Sequence, residues 1–151
     1  MAIALFSPST MAAKSGGILA ALALSASPIM AHHQISKGLP FSIVKAIAAE
    51  SQLDESVILA LAGVDRTTYH RRLKEPQKPW SVEQGARIYM TVKVLDAAAE
   101  LFNHDFQKAA AWLNKPAKAL ASEKPAAMLK TPSGGEAVLD LIGRISQGII
   151  S

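Results

Sequence analysis

The chain has 151 residues and a formal net charge of +4; half its residues are apolar, 5% are aromatic, and none is cysteine. That length suits one domain or two small helical ones with a buried core, and the lack of thiols excludes disulfides and thiolate chemistry. Alanine is abundant, and valine and isoleucine rarely alternate with polar residues, so no strand is expected and the fold class is all-α.

Residues 1–32 are expected to form a poorly ordered arm. Within it "GGILAALALSASPIMA" (16–31) resembles the apolar stretch of a signal peptide. It is too short, and too interrupted by serine and proline, to span a bilayer. Only Lys14 supplies positive charge ahead of it. His32 and His33 have no third ligand nearby, which makes a weak metal site. No metal, cofactor or membrane is expected.

"GLPFSIVKAIAAES" (38–51) opens with Pro40 near a helix start, where a missing N–H costs little. Ile43, Val44, Ile47 and Ala48 follow at helical spacing. "LDESVILALAG" (53–63) begins at Asp54, a good N-cap, and ends at Gly63. "VDRTTYHRRLKEP" (64–76) follows at once, with Asp65 as its N-cap and Pro76 as its stop. A longer helix is expected over 80–102, opened by Ser81 and Gln84 at capping-box spacing. Val82, Ala86, Tyr89, Val92, Leu95, Ala99 and Phe102 mark its buried stripe. Shorter helices follow in 105–116 and 124–132, and the last in 133–151, with Val138, Leu141, Ile142 and Ile145 as its apolar face and Gly148 as its end.

Positive charge is concentrated in one place. Residues 65–80 hold Arg66, Arg71, Arg72, Lys74 and Lys78 against Asp65 and Glu75, while the rest of the chain is nearly balanced. A basic cluster on a helix is the electrostatic footprint of phosphate binding, although a solvated charged face has the same composition. The two short helices meet across a tight turn at Gly63, as a helix-turn-helix requires. Tyr69 falls where the second helix must face inward, and Leu73 lies one turn on. Arg66, Thr67, Thr68, His70, Arg71, Arg72 and Lys74 are then left for solvent or DNA. Arginine reads guanine bidentately, and threonine bonds phosphate or touches a thymine methyl. One departure is Leu59, four residues before the turn glycine, where a small residue usually lets the helices approach.

The segment "GVDRTTYHRRL" resembles the "Gly-Ile-Ser-x-x-Thr-x-Tyr-Arg-Arg" core of the Xre/MbcA/ParS antitoxins: Thr68, Arg71 and Arg72 match, and His70 replaces the usual tyrosine. "GLP" (38–40) is similar to the start of that domain. "AAAWLNKPAKAL" (109–120) is similar to its "Ala-x-x-Trp-Leu-x-x-Pro-x-x-Ala-Leu", and residues 124–151 resemble its closing segment. The resemblance runs from about residue 33 to the end. Where the family usually has Gly-Gly after "Ala-Leu", this chain has Ala121-Ser122, a departure that bears on the conformation of that loop.

The resemblance implies a helix-turn-helix domain at 33–80, a connecting core helix at 81–103 and a toxin-binding domain at 104–151. It implies an antitoxin, itself without catalytic activity, that covers the active-site entrance of a RES-type, NAD-degrading toxin and represses its own operon. Operator symmetry makes a homodimer or a toxin-bridged hetero-oligomer the natural DNA-binding species, in the cytoplasm. The residues expected to approach the toxin are Trp112, Arg144, Gly148, Ile149, Ile150 and Ser151. For Ile149 and Ile150, burial in a partner groove or folding back onto the chain's own core are both open.

No catalytic constellation stands out. His104 precedes Asp105 at a helix start, where capping explains the pair, and Gly134-Gly135 belongs to no phosphate-binding pattern. A stand-alone helix-turn-helix regulator with a C-terminal dimerisation domain is the nearest alternative. An exported helical interaction protein, with 16–31 cleaved, is the alternative of another class.

Overall fold

A computed structural model describes residues 17–149. After a helical segment at 17–21 come α1 (Pro28–Lys37), α2 (Ile43–Ser51), α3 (Glu55–Ala62), α4 (Arg66–Arg72), α5 (Val82–Glu100), α6 (Phe106–Leu113), a 3-10 turn (Lys118–Leu120), α7 (Pro125–Met128) and α8 (Pro132–Ser146). The only extended pairing among the described residues is an isolated bridge between Ala117 and Glu123. The all-α expectation holds.

Local chemistry sets most helix boundaries. Asp65 Oδ1 accepts from the Thr68 N–H at 2.7 Å, Ser81 Oγ from Gln84 at 3.1 Å, Asp105 Oδ1 from Lys108 at 3.1 Å and Thr131 Oγ1 from Gly134 at 3.0 Å. Each cap satisfies an N–H that the first helical turn leaves without an internal partner. Asp54 occupies the cap position of α3 but makes no such bond. Gly63 closes α3 at φ 72°, the left-handed conformation that glycine adopts without steric cost. The helix from Asp65 ends at Arg72, four residues short of Pro76.

Helix α5 is the hub, with α1, α3, α6 and α8 all packed on it. Ile88, Val92, Val94, Leu95, Ala98 and Ala99 are fully buried. Burying each larger aliphatic side chain here contributes about 1.5–3 kcal/mol relative to exposure. The expected stripe is right at Tyr89, Val92, Leu95 and Ala99, but Val82 is 55% exposed and Ala86 is also exposed. At that end of α5 the covered face is that of Gly85, which lies against Ile35 and Leu39. Neighbours on several sides bury more of α5 than one stripe.

The N-terminal segment corrects the sequence reading. Residues 1–16 lie outside the described residues, but 17–32 are packed, not a loose arm. Ile18, Leu19, Leu24 and Ala31 join the core. The N–H groups of Ile18 and Leu19 donate to the two carboxylate oxygens of Asp96 on α5, at 2.7 and 3.0 Å. Tyr89 donates its hydroxyl to Ser25 O at 2.6 Å. Burial pushes the Asp96 carboxyl above its ordinary pKa, against the lowering effect of those two N–H donors. The division at 80/81 and 103/104 is not a break in packing either, because one apolar cluster runs from Ile18 to Ile142 through α5. Gln107 Nε2 on α6 also donates to Gln52 O at 2.8 Å, beyond the end of α2.

Candidate functional site

Helices α3 and α4 meet at Gly63-Val64. The Val64 N–H donates to Leu59 O at 2.9 Å, and Val64 is buried beneath the turn. Leu59 is itself in the core, so the larger residue is accommodated by facing inward. Tyr69 faces inward as expected, 8% exposed, and donates its hydroxyl to Glu55 Oε1 at 2.7 Å.

Arg66, Thr67, His70, Arg71 and Lys74 are exposed, and Thr68 is half-buried. The exposed positions recur at the spacing of one helical face. With Asp65 capping the N-terminus, α4 presents a basic face with few acidic groups to offset it. The Asp65 carboxyl is held below its ordinary pKa by the Thr68 backbone N–H, then by the Thr68 side chain and the Arg71 charge.

Arg72 departs from the expectation. It is 8% exposed and turned away from the face that carries Arg71, whereas Leu73, expected inside, is 43% exposed. Its guanidinium carbon lies 5.0 Å from the ring centroids of both Phe41 and Trp80. Its Nη2 donates to the carbonyls of Lys78 and Pro79. Phe41, Tyr69 and Trp80 stack on one another, with Phe41 5.3 Å from Tyr69 and 5.1 Å from Trp80. A guanidinium that finds two π faces and two carbonyls is better satisfied there than an aliphatic leucine. The "GLP" stretch has a part in this box. The Trp80 N–H donates to Leu39 O at 2.9 Å. Gly38, at φ 105°, leaves room for Pro79, whose Cβ a side chain would meet at 2.9 Å.

In the C-terminal half, Trp112 is half-buried between two surface depressions. The larger, about 650 Å³, lies between the ends of α5, α6 and α8, walled by Leu101, Phe102, Leu139, Ile142 and Ile145. The smaller, about 330 Å³, runs along Lys115–Ala119 to Leu141 and Ile145. Of the other residues expected at a toxin, Arg144 is exposed and pairs with Asp140 at 2.8 Å one turn earlier. Gly148, at φ 74°, follows the last turn of α8. Ile149 is 66% exposed, and Ile150 and Ser151 lie outside the described residues. The walls contributed by Phe102, Leu139 and Ile142 were not among the sequence candidates. Phe102 and Ile142 read as core from their helical spacing, and Ile142 is indeed buried; Leu139 lies off the expected apolar face and, like Phe102, is half-buried at the junction of three helices.

Ala121 and Ser122 both take left-handed backbone, at φ 57° and 67°. The loop therefore keeps the conformation that a Gly-Gly pair favours, with side chains that disfavour it.

These features define a helical protein that joins a helix-turn-helix to a second helical unit bearing an open groove. Residues 30–93 match the antitoxin Xre-like helix-turn-helix domain, and residues 97–148 match the antitoxin Xre/MbcA/ParS C-terminal toxin-binding domain. The chain is similar to the protein "Antitoxin Xre" of Photorhabdus laumondii subsp. laumondii, 39% identical over 117 residues, covering 78% of each chain. It is also similar to "Antitoxin Xre" of Yersinia enterocolitica serotype O:8 / biotype 1B, 32% identical over 117 residues with the same coverage. The chain belongs to the Xre family of antitoxins. Among the described residues no helix is long and apolar enough to cross a membrane.

Proposed function

We propose that this antitoxin neutralises a cognate RES-type, NAD-degrading toxin by covering its active-site entrance, and represses its own operon through α4. The observation that carries the reading is that both family domains lie on one chain, over 30–93 and 97–148. The exposed face of α4 supplies Arg66, Thr67, His70 and Arg71 for DNA, with Lys74 just past its end and the half-buried Thr68 beside them. The toxin contacts are Trp112, the groove beside it, Arg144 and the tail from Gly148 to Ser151. The antitoxin acts in the cytoplasm and performs no catalysis. It engages operator DNA as a homodimer or as a toxin-bridged assembly, because two-fold operators call for two recognition helices.

The test is co-expression of the tagged chain with the product of its neighbouring gene. Copurification, rescue of growth and preserved cellular NAD are the expected results. A toxic neighbour that neither copurifies nor is neutralised would leave a stand-alone helix-turn-helix regulator.

A further inference from the structure

We infer that Arg72 is a positioning residue for DNA recognition: it fixes the orientation of α4 from the inside and touches no DNA. The inference rests on the reading of α4 as the DNA-binding helix. With seven residues, α4 is far too short to hold its shape unaided, so its position depends on tertiary anchors. Asp65 and the Gly63 turn fix its start, and Tyr69 fixes its middle.

Arg72 supplies the anchor at the last turn. Its Nη2 donates to Lys78 O and Pro79 O, which ties the end of α4 to the loop that returns to α5. Its guanidinium lies over the rings of Phe41 and Trp80. Trp80 in turn donates through Nε1 to Phe41 O at 3.3 Å. Nε of Arg72 has no partner among the described residues, so the grip comes from Nη2 and the two rings. Lysine lacks the planar fork and the stacking surface and cannot reproduce it. Arg71 is next in sequence but exposed, so a small rotation of α4 would carry it off its target without changing its charge.

The experiment measures binding of the full chain to two duplexes of equal length, one from upstream of its own coding sequence and one unrelated. Variants Arg72→Lys, Arg72→Gln and Arg71→Gln are compared across salt concentrations. Arg71→Gln should weaken both duplexes and reduce the salt slope by about one. Both Arg72 variants should lose roughly ten- to a hundredfold on the upstream duplex, the range of a lost base contact. Their affinity for the unrelated duplex, and its salt slope, should stay at the unaltered level.

Full rescue by lysine, or a slope lowered by about one in Arg72→Gln, would make Arg72 a direct contact and overturn the inference. A lower melting temperature with unchanged DNA affinity would reduce it to a structural role and overturn it equally. If the unaltered chain shows no preference for the upstream duplex, the DNA reading fails separately. Hydrogen exchange then decides the positioning claim. The amides of Leu73, Lys74 and Glu75, which bond back into α4, should exchange at least about tenfold faster in Arg72→Lys, while α6 is unaffected. Unchanged exchange there would overturn it.

Discussion

The Tyr69 hydroxyl donates to Glu55 Oε1 at 2.7 Å, joining the middle of α4 to the first turn of α3 across the Gly63 turn. Removing the hydroxyl in Tyr69→Phe leaves the ring stack with Phe41 and Trp80 intact. The loss should be about 1.5–3 kcal/mol, as for a bond to a charged acceptor, read by urea denaturation. An unchanged midpoint would mean that Glu55 is as well served by water.

Both tyrosines of the chain are shielded. Burial pushes Tyr69 upward first, with Glu55 adding to the effect, and burial alone pushes Tyr89 upward. In each the folded value lies above the unfolded one. The stability tied to these phenols is therefore present below about pH 10 and lost as pH rises above it. Ultraviolet titration of the folded protein should show phenolate appearing at higher pH than for a free tyrosine. A normal titration step would show that at least one hydroxyl is free.

Charge reversal should separate two neighbouring arginines. Arg71 is exposed, so Arg71→Glu should leave melting nearly unchanged and weaken DNA binding. Arg72→Glu places a carboxylate among two carbonyls and two ring faces, and should cost about 3 kcal/mol or more. Equal melting temperatures would contradict the buried position of Arg72.

At Ala121 and Ser122 the backbone is left-handed, which costs a non-glycine residue roughly 1 kcal/mol or more. Glycine removes that cost but gains freedom in the unfolded chain. Ala121→Gly and Ser122→Gly should therefore each be neutral or stabilising, by up to about 1 kcal/mol in calorimetry. A clear loss at either site would show that its side chain makes a contact that outweighs the strain.

Trp112→Ala removes one of the two side chains, with Ile145, that line both depressions. Because Trp112 is half-buried, the fold should survive while toxin neutralisation in the co-expression assay falls sharply. Deletion of 148–151 should likewise weaken neutralisation more than folding. Full neutralisation by both variants would place the toxin surface elsewhere. Gly134→Ala is the contrasting control. Its Cβ would collide with the Met128 carbonyl, so it should damage folding by about 2 kcal/mol or more.

Features that depend on near neighbours are legible in the sequence. The caps at Asp65, Ser81 and Asp105, the turn at Gly63 and the inward Tyr69 are each decided within a few residues, by hydrogen bonds and helical period. The order of the helices from α2 onward and the exposed basic residues other than Arg72 followed from the same local rules. The rest depends on how distant segments pack together. Periodicity placed Leu73 inside and Arg72 outside, because it cannot see rings arriving from positions 41 and 80. Residues 17–32 read as an arm because the carboxylate that accepts from Ile18 and Leu19 lies 78 and 77 positions away. The groove beside Trp112 was hidden for a related reason: apolar residues at helical spacing look alike whether a neighbouring helix covers them or stops short. Burial is a property of what packs opposite, and one chain segment does not contain that information.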